Sequence, residues 1–256
     1  MPLLNEFTKD KLHIRIFDTR KAMGDCAGQQ IADCLRELLK NKKVINVMFA
    51  AAPSQNETLA ALLEAKDIDW TRINAFHMDE YVGISPSHSA SFCNFLNRTI
   101  FTKKPFASVN LINASAPDKD AEARRYADLL EHHKLDVCIL GIGENGHIAF
   151  NDPSVADFND TKGVKIVKLE QVCRMQQVHD KCFDSLDEVS QYAYTVTIPA
   201  LLKADHMFCS APAATKAQAA KTMLEGPISV SCPASALRSH SDARLYLDKD
   251  SGALVL

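Results

Sequence analysis

The sequence predicts an α/β fold, a single Rossmann-like domain over residues 1–256, with a mainly parallel sheet and helices on both faces. Short apolar runs alternate with longer amphipathic stretches, which is the pattern of βα units. Several of those runs are almost continuously apolar, as strands covered on both faces must be. The 256 residues are enough for one sizeable core, and no repeat, low-complexity tract or linker divides them.

Residues 12–17 are predicted as the first strand. Asp18-Thr19 then caps a helix running to Leu39, with Ile31, Leu35, Leu38 and Leu39 on one face. Residues 44–52 form the second strand. Ser54-Gln55-Asn56-Glu57 has capping-box spacing and opens a helix that Leu59, Leu62 and Leu63 continue. Residues 72–78 read as a strand, 80–88 as a loop around Gly83 and Pro86, and 89–101 as a helix. A charged helix over 118–134 leads into a buried strand at 135–141. Residues 151–191 read as an irregular polar excursion partly covering the site. Later strands are predicted at 192–198, 206–210 and 244–247, with a helix over 214–225.

Composition narrows the function. A net charge of −3 and a basic cluster no longer than Lys40, Lys42 and Lys43 argue against a nucleic-acid partner. No apolar run approaches the roughly 20 residues of a membrane span, and the first residues lack a basic and apolar leader. The eight cysteines are dispersed with no CxxC pair, so reduced thiols in a cytoplasmic protein are expected. The scattered histidines show no metal-binding spacing, and no metal is predicted.

Two segments carry chemistry. Gly141-Ile142-Gly143-Glu144-Asn145-Gly146-His147 follows a buried strand, placing its glycines at the carboxyl edge where open α/β sheets bind ligands. His147 followed by Ile148-Ala149-Phe150-Asn151-Asp152-Pro153 suits an imidazole held by a carboxylate, which fixes its tautomer. A histidine satisfied by backbone alone is the plain alternative. The second segment is Met78-Asp79-Glu80-Tyr81-Val82-Gly83. Adjacent carboxylates at a strand end face different surroundings, so a partly desolvated Asp79 can act as a carbon base. A pair that merely caps a loop is the competing reading.

Taken in order along the chain, these segments resemble the glucosamine-6-phosphate deaminase (isomerase) family, which is related to the 6-phosphogluconolactonases. Ser89-Ala90-Ser91-Phe92 and Asn110-Leu111-Ile112-Asn113 resemble the stretches between the two motifs. The resemblance implies cofactor-free isomerisation and deamination of an aminosugar phosphate, namely glucosamine 6-phosphate to fructose 6-phosphate and ammonia. Asp79 would move a proton from C2 to C1, and His147 would open the sugar ring, oriented by Asp152 with Asn145 nearby. Glu80 would stand behind the base. Arg174 and Lys216 would hold the phosphate, the lysine at the start of a late helix. The implied partner is a small sugar phosphate, and self-association into a homo-oligomer is left open.

Three departures from the family pattern stand out. Asp152 replaces a glutamate, one methylene shorter. Asn145 lies where relatives have Asp or Asn. Ala52, Pro53 and Ser54 occupy the place of a glycine-rich phosphate loop, and Pro53 lacks an N–H. Fewer loop donors are expected, with Ser54 contributing its hydroxyl. A lactonase-like hydrolase is the nearest alternative, although Ile148-Ala149-Phe150 and the Asp79-Glu80-Tyr81 segment differ from lactonase motifs. A sugar-phosphate-binding protein with reduced catalysis is the other.

Overall fold

The computed structural model describes residues 2–256. Strands β1 (Leu3–Lys9) and β2 (Leu12–Phe17) precede α1 (Arg20–Asn41), β3 (Ile45–Phe49) and α2 (Asn56–Glu64). Next come β4 (Ile73–His77), β5 (Asp79–Tyr81), α3 (Phe92–Leu96), β6 (Ser108–Asn110), α4 (Lys119–His132) and β7 (Val137–Leu140). The chain ends with β8 (Val164–Lys168), α5 (Gln171–His179), β9 (Tyr192–Val196), α6 (Ile198–Leu201), β10 (His206–Ser210), α7 (Ala217–Glu225) and β11 (Ala243–Asp248).

Eight strands form one sheet in the order β1-β2-β11-β10-β7-β3-β4-β6. Only the β1–β2 pairing is antiparallel; the other six pairings are parallel. Period-2 alternation divides the strand side chains between two cores. Met48, Cys138, Leu140, Met207, Cys209, Leu245 and Leu247 join the core that α4, α6 and α7 complete. Val47, Phe49, Val137, Ile139, Phe208 and Tyr246 face the core under α1, α2 and α3. This is the predicted α/β architecture, covered on both faces. β5, β9 and β8 make a separate antiparallel sheet.

Local chemistry sets the helix starts. Thr19 accepts the Ala22 N–H and caps α1, and Asp118 accepts the Ala121 N–H and caps α4. Gly24 and Gly28 of α1 let α2 approach closely. A Cβ on Gly28 would lie 2.6 Å from that of Ala61, and one on Gly24 would lie 2.3 Å from that of Glu57. α2 is thereby seated deep in α1.

The structure departs from the sequence reading at several elements. The capping box is not formed: Ser54 Oγ accepts Gln55 Nε2, and Glu57 pairs with Arg20. The loop predicted over 80–88 loses its first two residues to a strand, because Asp79, Glu80 and Tyr81 pair with Thr195, Tyr194 and Ala193. The helix predicted over 89–101 shortens to α3 and a following π-turn. The stretch 151–191 is ordered into β8 and α5. No helix among the described residues is long and apolar enough to cross a membrane. All eight cysteines are unpaired.

Candidate active site

The site opens at the carboxyl ends of β3, β4 and β7. At the end of β4 the chain leaves the large sheet: His77 still pairs with Phe49, whereas Asp79 already pairs with Thr195 in the small one. Asp79 thus stands at the junction of the two sheets and lines a pocket with His147, Ala52 and Ser54. Its carboxyl is buried. That burial, reinforced by the neighbouring Glu80 charge, pushes Asp79 well above the usual carboxylate range.

Glu80 faces the other way, as alternation on a strand requires. Its two oxygens accept the N–H groups of Tyr81, Phe92 and Cys93 and the Ser91 hydroxyl, at 2.8–3.1 Å. With four donors it anchors the start of α3, so the structure does not bring it to the pocket as a substrate contact.

His147 is set by the glycine turn after β7. Gly146 adopts φ +81, and the Gly143 N–H donates to the His147 carbonyl at 2.8 Å. The imidazole lies flat on Gly143, where an added Cβ would sit 2.1 Å from its Cε1. Nδ1 meets Asn145 Oδ1 at 2.7 Å and Asp152 Oδ1 at 3.1 Å, leaving Nε2 as the ring nitrogen with no protein partner. Burial raises the Asp152 carboxyl, but bonds from His147, Asn145 and the Glu170 N–H outweigh it and hold the group below its ordinary value. Asn151 fastens this turn to β9 by donating to the carbonyls of Ile148 and Val196 at 2.9 Å.

The predicted anion-binding residues are less gathered. Ala52 is extended and leads into a 3-10 turn, Pro53–Gln55, in which Pro53 takes the first helical position. No residue from 50 to 55 has positive φ, so the alanines are unstrained. Pro53 offers only its carbonyl, which accepts Arg20 Nη2. Arg174 is not among the pocket-lining residues, and its Nη2 donates to the carbonyls of Leu186 and Val189 at 2.6 and 2.8 Å, tying α5 to the turn beyond it. Lys216 is buried with an ammonium group that has no hydrogen-bond partner. Burial lowers its pKa despite nearby Asp180 and Glu144.

Sequence reasoning missed several pocket residues. Gln176 and Gln177 of α5 line the pocket, as does Gln55, whose Oε1 is buried without a partner. It also missed the approach of Cys173 to His147 and Asp152: one ligand-type atom from each lies within 4.8 Å of the others, a donor set that metals use. Spacing in sequence carries no sign of this cluster, because α5 delivers Cys173 through space.

A doubly wound α/β domain that gathers a desolvated carboxyl and a carboxylate-held imidazole at its strand ends is built for acid–base chemistry on a small molecule. Residues 18–246 match the family described as glucosamine-6-phosphate isomerases/6-phosphogluconolactonase, and the chain belongs to that family. It is 35% identical to a glucosamine-6-phosphate deaminase of Listeria welshimeri over 211 residues, covering 82% of this chain and 88% of the relative. It is 32% identical to a glucosamine-6-phosphate deaminase of Enterococcus faecalis, covering 90% and 95% respectively. A solved monomeric glucosamine-6-phosphate deaminase superposes with a TM-score of 0.86 at 28% identity, over 94% of this chain and 99% of that one. A 6-phosphogluconolactonase from Thermotoga maritima shares the fold, with a TM-score of 0.77 at 20% identity over 93% of this chain and 100% of its own.

Proposed function

We propose that this chain converts an aminosugar phosphate, glucosamine 6-phosphate, to fructose 6-phosphate and ammonia in the cytoplasm. The observation that carries the reading is the convergence of Asp79 and His147 on one pocket from two separate strand ends. His147, protonated at Nδ1 by its contacts to Asn145 and Asp152, has Nε2 available to take the C1 hydroxyl proton and return it to the ring oxygen. The opened aldehyde then makes the C2 hydrogen acidic. Asp79 removes that proton and delivers it to C1, while the amine gives up an N–H proton to the C1 oxygen, so that a C2 imine forms beside a C1 alcohol. Water adds at C2 and ammonia leaves, so atoms and electrons balance without an oxidant or reductant.

The raised Asp79 carboxyl fits a carbon base that is strong once ionised. A substrate ammonium group beside it favours the ionised form. The buried Lys216 ammonium, which has no protein partner, takes the phosphate, assisted by Ser54 and by backbone N–H groups at the start of α2. Arg174 serves by holding α5, and Glu80 by holding α3. The test is turnover on glucosamine 6-phosphate, galactosamine 6-phosphate and 6-phosphogluconolactone, scoring ammonia and ketose phosphate. Ammonia and ketose released in equal amounts support the reading. Lactone hydrolysis without ammonia would replace it with the lactonase alternative.

A further inference from the structure

Behind His147 lies a side chain that neither motif contains. Glu170 is the N-cap residue of α5, yet its carboxylate does not cap that helix. Oε1 accepts the Ser154 N–H at 2.9 Å and Oε2 accepts Asn145 Nδ2 at 3.3 Å, while its own N–H donates to Asp152 Oδ2 at 3.0 Å. Asn145 Nδ2 also donates to Asp152 Oδ1 at 2.9 Å. Two carboxylates therefore claim the same end of the Asn145 carboxamide. An ionised carboxylate only accepts, so that end carries the NH2 group and the oxygen is forced towards His147. There Oδ1 meets the His147 N–H at 3.1 Å and Nδ1 at 2.7 Å. An oxygen facing Nδ1 calls for a proton on that nitrogen, which leaves the Nε2 lone pair for the pocket.

We infer that Glu170 is a positioning residue: acting through Asn145, it fixes His147 as the Nδ1–H tautomer and so keeps Nε2 ready to accept the sugar's proton. The inference rests on the ring-opening role given to His147. Asp152 alone does not secure the arrangement, since it touches the ring and the carboxamide with the same oxygen. Glu170 is the second acceptor that prevents the carboxamide from turning over.

Glu170→Gln is nearly isosteric but replaces one acceptor oxygen with a donor. Ser154 N–H and Asn145 Nδ2 then compete for the remaining oxygen. Two readouts separate positioning from support of the fold. Nitrogen-15 NMR of the imidazole, recorded without substrate, gives Nδ1–H alone in the native protein and a mixture of tautomers in Glu170→Gln. Turnover falls about tenfold to a hundredfold in kcat with KM unchanged, the scale seen for groups behind metal-bound histidines. The same substitution in an Asn145→Ala background costs nothing further, because the link is already cut. Additive losses in that pair, or a His147 ring still wholly Nδ1–H in Glu170→Gln, would overturn the inference. A Glu170-dependent tautomer in a protein that releases no ammonia would sink the proposed reaction instead and leave this inference standing.

Discussion

The two ends of the pocket are built on opposite plans. At the imidazole end, the polar atoms contacting His147 are bonded to one another: Asn145, Asp152 and Glu170 form a closed set with every oxygen of the two carboxylates accepting. At the end proposed for the anion, Oε1 of the pocket-lining Gln55 is buried without a partner, as is the Lys216 ammonium beyond the lining. A buried polar group left unbonded typically costs about 1–3 kcal/mol, and a charged one costs more. On the proposed reading, the first end is finished before substrate arrives and the second is completed by it, so reaction geometry is fixed in the fold while affinity comes from groups the fold leaves unsatisfied.

The sharpest test of that division is Asp79→Asn. General-base catalysis is worth roughly 10² to 10⁴, and a loss of that order in kcat is expected, with exchange of the C2 hydrogen abolished. The stability effect has the opposite sign. The folded Asp79 carboxyl lies above its unfolded value, so the native state loses stability as pH rises from the unfolded value through the folded one. Removing the charge should raise Tm at neutral pH. A variant that still exchanges the C2 hydrogen, or that melts lower at neutral pH, would mean that Asp79 is not a desolvated base.

Lys216→Met probes the other end at similar volume. The loss of one charge-assisted bond of about 1.5–3 kcal/mol should raise KM roughly 10- to 150-fold while sparing kcat. The folded ammonium lies below its unfolded pKa, so its charged form costs native stability at every pH below that folded value. The variant should melt higher than the native protein without ligand. Inorganic phosphate should raise Tm of the native protein and not of the variant. Equal phosphate shifts in both would show that the anion binds elsewhere.

The smallest effect belongs to the loop. Replacing Ala52 and Pro53 with glycine adds one backbone N–H, worth about 0.5–1.5 kcal/mol, or roughly 2- to 13-fold tighter binding of glucosamine 6-phosphate. It also frees the unfolded chain, at about 0.4–1 kcal/mol of stability per position. Unchanged affinity in the folded variant would show that the native turn, with its unstrained alanines, already supplies the donors the anion uses.

The sequence displays these two ends unequally. The large sheet is legible because apolar residues alternate between two cores, and Asp79 and His147 because each sits in a dense motif just after a buried strand. β1 escapes notice because it lies at the sheet edge, with Leu3 and Leu4 exposed, so no clean apolar alternation marks it. α5 escapes for another reason: its buried positions include Gln176 and Gln177, polar side chains turned to a pocket, where a hydrophobic stripe would normally announce a helix. Glu170 has no local sign at all, since its meaning comes from residues 18 and 25 positions away. The Arg174 expectation came from the family resemblance, and a guanidinium can also satisfy carbonyls, as its Nη2 does here with Leu186 and Val189.

The seating of α2 on Gly24 and Gly28 gives the pocket an unexpected control point. The loop that closes its anion end is the leading edge of α2, and α2 is pressed against α1 at distances that leave no space for even one methyl group. A larger residue at either glycine would lift α2 like a wedge under a plank and carry Ser54 outward with it. The depth of the pocket is thus gauged by a helix that never lines it. A lineage could adjust the length of the sugar it accepts by tuning that wedge, while every residue that handles protons stays as it is.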